Sequence, residues 1–359
     1  MRIWEISFEL KSPAIVTRRR TERGFKEALD YIPASSLRGA ILSSLYYHGR
    51  IGEDRLEQEA ENPRILCTAG FPLVDGQKFW PMHPFIYECK ICKEVIVADF
   101  LPKLEEGQEP ILPSICKQWH QSLDFLHPRC RSFKQVGEED KKKLKVHFTS
   151  SICVGISKDR GASEGELLYE YDAIDAGQKF WFRLCYEDSL EKGFEFWVGR
   201  GISRGFGWAK IKNVIREIKV KEEAEKIREV LQGRERTVMY ALSPLLSGRG
   251  QRCVPSPDRV ELSEVAKIMG IEGGGVIEVD KVYGRTIMYD AGWDMRRGRR
   301  RPILPAAAHG SLAVCRISRD ADPRLLTALS VLGTVEDFED VKLTCVNQLV
   351  PLRYVMEEW

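Results

Sequence analysis

Val198-Gly-Arg-Gly-Ile-Ser-Arg-Gly-Phe-Gly-Trp208 sets Gly199, Gly201, Gly205 and Gly207 among Arg200, Ser203, Arg204, Phe206 and a closing tryptophan. Glycine permits positive φ and lets a backbone come close to a ligand. Arginine supplies a forked donor for phosphate, and an aromatic ring supplies a stacking face for an unpaired base. The spacing is not the Gly-x-Gly-x-x-Gly that opens a crossover helix, because Ala209 to Val214 reads as a strand. The Lys-Ser/Thr pair of a P-loop is missing as well. These residues fit phosphate or single-stranded RNA contact, and taken alone they also fit a glycine-rich hairpin with no ligand.

Upstream, Ile3, Glu5 and Ser7 alternate with Trp4, Ile6 and Phe8, which predicts a half-buried first strand. Tyr31-Ile-Pro-Ala-Ser-Ser-Leu-Arg-Gly-Ala-Ile41 follows. Pro33, Ser35 and Ser36 are helix start signals, and Leu37, Ile41 and Leu45 share one helical face. Arg38 is expected to point off that face near the helix N-terminus, the end that favours phosphate. Residues 62–145 read as an irregular, cysteine-rich insertion. Strands are expected over 145–157, 167–171, 178–186 and 209–214, with a loop tip at 159–165. A charged helix over 221–231 joins the halves. The second half shows strands over 237–242, 275–282, 312–317 and 341–346 and helices over 262–269 and 323–332. A strand, helix, strand, strand, helix, strand order predicts an α+β chain of two ferredoxin-like (RRM-like) βαββαβ domains, 1–220 and 221–359.

At 359 residues with 43% apolar content, the chain is long enough for two cores. Its net charge of +2 hides local contrast. Arg18, Arg19 and Arg20 form one basic cluster. Arg296, Arg297, Arg299, Arg300 and Arg301, beside Trp293, form another. Clustered cations, not net charge, are what a polyanion meets at close range. A solvated face and an acidic protein partner are the competing explanations. No apolar run approaches the ~18 residues of a membrane span, so a cytoplasmic location is expected and no membrane partner. The ten cysteines are then expected to be reduced or metal-bound.

Cys89-Lys-Ile-Cys92 is a Cys-x-x-Cys pair. Cys116 and His120 follow, Cys130 lies just beyond, and Cys67 lies before. Soft thiolate and imidazole donors in such pairs suit a closed, tetrahedral, structural zinc. The expected ligands are Cys89, Cys92, Cys116 and either His120 or Cys130. Cys153, Cys185, Cys315 and Cys345 lie on apolar strand patterns and read as small buried hydrophobes. None of the six histidines sits in a recognisable nucleophile constellation. His48 ends the first helix, and His309 precedes Gly310-Ser311.

Four motifs carry a family resemblance. Tyr31 to Ile41 resembles the first-helix signature of the RAMP superfamily of CRISPR-associated proteins, and Val198 to Trp208 resembles its glycine-rich loop. Asp159 to Tyr171 is similar to the hairpin between them. Gly292-Trp-Asp-Met295 with Arg301 to Ser311 resembles the second-domain motif of subunits that cap the 5′ end of the guide RNA in type III effectors, the type III-D version above all. The resemblance implies a non-catalytic subunit that grips the single-stranded, repeat-derived 5′ tag of the guide RNA. It also implies docking to a large polymerase-like subunit and to the first backbone subunit. Ser35, Ser36, Arg38, Arg200, Ser203 and Arg204 match the motif positions for tag contact. Phe206, Trp293, Arg296, Arg297, His309 and the Arg18 to Arg20 cluster join them as candidates. Some members of the superfamily cleave repeat RNA with a histidine, so metal-independent endoribonuclease activity through His48 is the alternative, and a target-cutting backbone subunit is a third. One departure stands out. Leu332-Gly-Thr-Val-Glu-Asp-Phe-Glu-Asp-Val341 is acidic where the family often has a second glycine-rich loop, so no RNA contact is expected there.

Overall fold

The structure is a computed structural model and describes residues 1–17, 25–26, 28–111, 126–128, 133–135, 143–156, 163–232, 234–247, 255–294, 296–318, 321–338 and 341–358. The fold is α+β, with antiparallel sheets and few helices.

The first half is organised around β1 (Arg2–Leu10), β2 (Phe71–Val74), β3 (Lys179–Tyr186) and β4 (Trp208–Ile218), which lie side by side in the order β2, β3, β1, β4. Every pairing is antiparallel, with Ile6 opposite Phe182 and Val214. The alternation along β1 has the expected period. Trp4, Ile6, Phe8 and Leu10 form one core, where Phe8 meets the rings of Phe180, Phe182 and Phe196 at 5.6, 5.6 and 5.2 Å. Helix α1 (Ala34–Tyr47) covers this face with Leu37, Ile41 and Leu45. It begins directly after Pro33, as its start signals require, and a second helix, α2 (Glu53–Glu61), follows.

The other face of β1 is not half-solvated as expected. Ile3 packs with Val331, Leu332 and Cys345 of the second half. Glu5 is 0% exposed and faces Lys78 at 2.6 Å, Arg183 at 3.4 Å and Arg216 at 3.5 Å. Burial pushes its carboxyl up, but the three cations outweigh that and hold it below the usual range. One half therefore serves as the second covering layer of the other.

Helix α3 (Val220–Leu231) leads into the second half. There β5 (Arg236–Ala241), α4 (Ser263–Met269), β6 (Val276–Tyr283), β7 (Leu312–Ile317), α5 (Pro323–Leu332) and β8 (Leu349–Pro351) follow in sequence. The strands lie in the order β6, β7, β5, β8, again antiparallel. The two halves thus share one strand order. Helix α5 starts on Asp322, whose carboxylate accepts the Arg324 N–H at 2.8 Å, with Pro323 in the first turn.

The irregular insertion expected over 62–145 is shorter than that at its N-terminal end. Leu66–Cys67 and Phe71–Val74 pair with β3, and Gln77–Pro81 pairs with β2, so residues 66–81 belong to the first sheet. The short helix Leu101–Glu105 ties the insertion to the second half, where Glu105 pairs with Arg234 at 3.0 Å and Arg353 at 2.7 Å. Cys185, Cys315 and Cys345 are buried, as their apolar strand patterns predict, and burial pushes their thiols up. No described helix is long and apolar enough to cross a membrane.

Candidate nucleic-acid interface

The glycine loop bridges the strand Glu195–Trp197 and β4, closing where Trp197 pairs with Trp208. A single 3₁₀ turn, Ile202–Arg204, forms its tip, with Gly201 (φ 75°) before it and Gly205 (φ 86°) after it. The outer glycines are required for a different reason. A Cβ on Gly199 (φ 91°) would lie 2.5 Å from the Ile15 carbonyl oxygen, and one on Gly207 (φ 80°) only 2.1 Å from that of Val198. The loop is fastened to the 13–15 segment by Arg200 N–H to Ile15 at 3.0 Å and Gly207 N–H to Pro13 at 2.8 Å. Its backbone is therefore fixed, while Arg200, Ser203 and Arg204 are exposed.

Phe206, expected as an open stacking face, is half-buried instead against Ile15, Tyr171 and Ala173 and helps anchor the loop. The Arg204 guanidinium lies 5.4 Å from the centre of the Tyr171 ring. Ile202 is the exposed apolar side chain of the tip, at 49%. Tyr171 and Ile202 were missed by sequence reasoning. Tyr171 lies on the distant strand Ser163–Ile174, and nothing in its local pattern points to the loop.

A second patch forms where α1 meets the arginine-rich segment of the second half. Trp293–Asp294 and Arg299–Arg300 pair as a short hairpin, with Trp293 opposite Arg300. Trp293 is 56% exposed. This hairpin lies against α1 at Gly292, where a Cβ would sit in ordinary contact with the Ser35 hydroxyl, at 3.6 Å. Burial pushes Tyr289 up to about 12, opposed by its hydrogen bond with Ser35. Ser35 and Ser36 are half-buried at this junction. Arg296, Arg297, Arg299 and Arg300 are exposed, although Arg296 also pairs with Glu61 at 2.7 Å and Arg300 pairs with Asp290.

Two candidates turn inward. Arg38 does not point off the helix. It is 8% exposed, and its guanidinium donates to the Glu59 carboxylate at 2.8 Å and to the carbonyls of Glu59 and Ile65 at 2.8 and 2.6 Å. Glu59 also accepts the N–H groups of Arg64 and Ile65 at 2.9 Å, so this ion pair ties α2 to α1 and to the segment that enters the strand Leu66–Cys67. His309 is half-buried with its ring 4.4 Å from that of Tyr31, plugging the junction of the halves. His48 is exposed at the end of α1, with its N–H on Ser44 O at 2.9 Å and its ring 5.1 Å from Phe194.

Cys89 and Cys92 flank the turn between the strands Ile86–Cys89 and Val95–Val97. The Lys93 N–H returns to Cys89 O at 2.9 Å with Lys93 at φ 62°. Cys89 is buried and Cys92 half-buried. Arg18, Arg19, Arg20, Cys116, His120 and Cys130 lie outside the described residues.

No protein-family description and no curated protein sequence matches the chain. Among solved structures, it is similar to a chain of the type III-B Cmr-beta complex bound to cognate target RNA, with 13% identity, 86% of each chain covered and a TM-score of 0.47. A chain of the same complex with target RNA and AMPPnP gives 12% identity, the same coverage and a TM-score of 0.47. Cmr4 (Cas7) of Pyrococcus furiosus gives 12% identity over 58% of this chain and 98% of its own, with a TM-score of 0.24.

Proposed function

We propose that the chain is a non-catalytic RNA-binding subunit of a type III CRISPR effector ribonucleoprotein, which grips the single-stranded, repeat-derived 5′ tag of the guide RNA. The observation that carries this reading is the glycine loop. Its backbone is fastened to the 13–15 segment while Arg200, Ser203 and Arg204 stay exposed at its tip. A preorganised loop loses little entropy on binding, and an exposed arginine fork suits a phosphodiester. The four sequence motifs, in their family order, add the role of tag capping and the partners: the large polymerase-like subunit and the first backbone subunit. The shared order of second, third, first and fourth strand supports two ferredoxin-like domains.

The test is binding of a labelled RNA carrying the repeat-derived tag, followed by anisotropy. Tight binding by the wild type and loss with Arg200→Ala plus Arg204→Ala is the expected result. Equal affinity of the two proteins would sink the site assignment. Metal-independent cleavage of repeat RNA that disappears with His48→Ala would replace the reading with an endoribonuclease.

Zinc belongs to the same proposal, as a structural ion of the insertion. Cys89 and Cys92 present two thiols on one tight turn, an arrangement that suits two of four tetrahedral ligands. The sequence offers Cys116 with His120 or Cys130 for the rest. Metal analysis of the purified chain should find about one zinc per chain, and Cys89→Ser with Cys92→Ser should remove it. A wild type free of zinc overturns this part alone.

A further inference from the structure

The Arg301 guanidinium lies within electrostatic range of Arg38 and Arg297, and the three charges are unequally answered. Arg38 has Glu59 at 2.8 Å, and Arg297 has Asp294 at 4.0 Å. Arg301 is half-buried and has no such carboxylate among the described residues. One terminal nitrogen reaches only the Lys342 carbonyl, at 3.5 Å, and its Nε is buried with no acceptor among the described residues. Burial lowers the Arg301 pKa; Asp294 opposes this, while Arg38 and Arg297 lower it further. A carbonyl oxygen carries only a partial charge. A half-buried cation that feels two like charges gains from more negative charge than Asp294 alone supplies.

We propose that Arg301 is the inner end of an anion site at the junction of the two halves, with Arg297 and the Ser35 hydroxyl on its rim, and that the site takes one phosphate group of a single-stranded RNA. The assignment rests on the RNA-binding reading above. The exposed Trp293 on the same hairpin offers the adjoining base a stacking face, which favours nucleic acid over an acidic peptide. Arg301 also replaces Arg38 as the charge at this helix end that is open to a ligand.

Two measurements on the full chain separate the anion site from the RNA reading. The first compares melting temperatures in inorganic phosphate and in chloride at equal ionic strength. Phosphate should raise the value for the wild type and for Arg301→Lys, and leave Arg301→Gln unchanged. No rise in the wild type overturns the site. The second titrates tag RNA across a salt series. Arg301→Gln should weaken binding roughly tenfold and lower the slope of log affinity against log salt by about 0.7. An unchanged slope in Arg301→Gln, with binding still lost in the Arg200→Ala and Arg204→Ala double variant, overturns the proposal and leaves the RNA reading standing. A phosphate response without any RNA binding by the wild type overturns the RNA reading and the phosphodiester assignment together.

Discussion

The two halves share one strand order, and they differ most in what precedes the fourth strand. In the first half this is the glycine loop, which rests on four positive-φ glycines and leaves its polar side chains outside. In the second half Thr334–Phe338 pairs with Val341–Val346 as a hairpin, with one shift of register between Thr334 and Val335. Its polar groups bond within the fold: Asp337 with Lys342 at 2.6 Å, and Glu336 with Thr334 at 2.7 Å and Asn347 at 3.1 Å. Equivalent places in one topology thus hold opposite devices. Where the backbone is pinned by glycines, the polar side chains stay exposed. Where side chains pin the backbone, little is left over.

The same contrast appears within the first half, and it predicts the largest effect. Arg38 sits in the first-helix motif but is committed to Glu59. Removing one member of a buried pair strands the other charge, so Arg38→Ala should cost about 3–5 kcal/mol, read as a lower denaturation midpoint. Arg38→Ala that folds normally and loses RNA affinity would reverse the assignment.

Next come the glycines. A Cβ on Gly333 (φ 76°) would lie 2.5 Å from the Val346 carbonyl oxygen, much as one on Gly207 would strike Val198. Alanine at either should cost about 2–3 kcal/mol, yet only Gly207→Ala should also weaken RNA binding. Gly205 has open space around its Cβ position, so Gly205→Ala should cost about 1 kcal/mol from positive φ alone. Equal losses at Gly205 and Gly207, measured by urea denaturation, would show that steric closure at the loop base is not what holds it.

Much of this contrast was legible in the sequence. Period-2 alternation placed β1, and the start signals Pro33, Ser35 and Ser36 placed α1, because these elements bury faces that their own residues define. The acidic composition of 332–341 marked a segment unlike the glycine loop. Arg38 was misread because its partner Glu59 lies 21 positions away on a helix that the sequence reading did not find. The inward turn of His309 depends on Tyr31 in the other half. The far face of β1 read as half-solvated because part of the layer covering it, including Val331, Leu332 and Cys345, comes from residues more than 320 positions downstream. Local pattern sees which face is apolar; it does not see what arrives from elsewhere to cover it.

A smaller effect on binding, with none on stability, is expected at the loop tip. Arg200 and Arg204 are exposed, so Arg200→Ala with Arg204→Ala should change stability by less than about 0.5 kcal/mol. RNA affinity should fall roughly tenfold per arginine, and the salt slope should fall by about 0.7 for each phosphate no longer neutralised. A fall in affinity with an unchanged slope would mean that the arginines meet bases and not phosphates.

The smallest effect tests the other side of the comparison. Asp337 is exposed, and its pair with Lys342 is a surface ion pair of little worth. Asp337→Ala should leave stability within about 0.5 kcal/mol and RNA affinity unchanged. The informative substitution is Asp337→Arg, which puts an arginine on this hairpin. If a preorganised backbone is what makes an arginine useful, this added charge should strengthen binding only as a general electrostatic term that fades with salt. A gain in tag-RNA affinity that persists at high salt would mean that the hairpin already lies on the RNA path, and that its acids, not its backbone, keep RNA away.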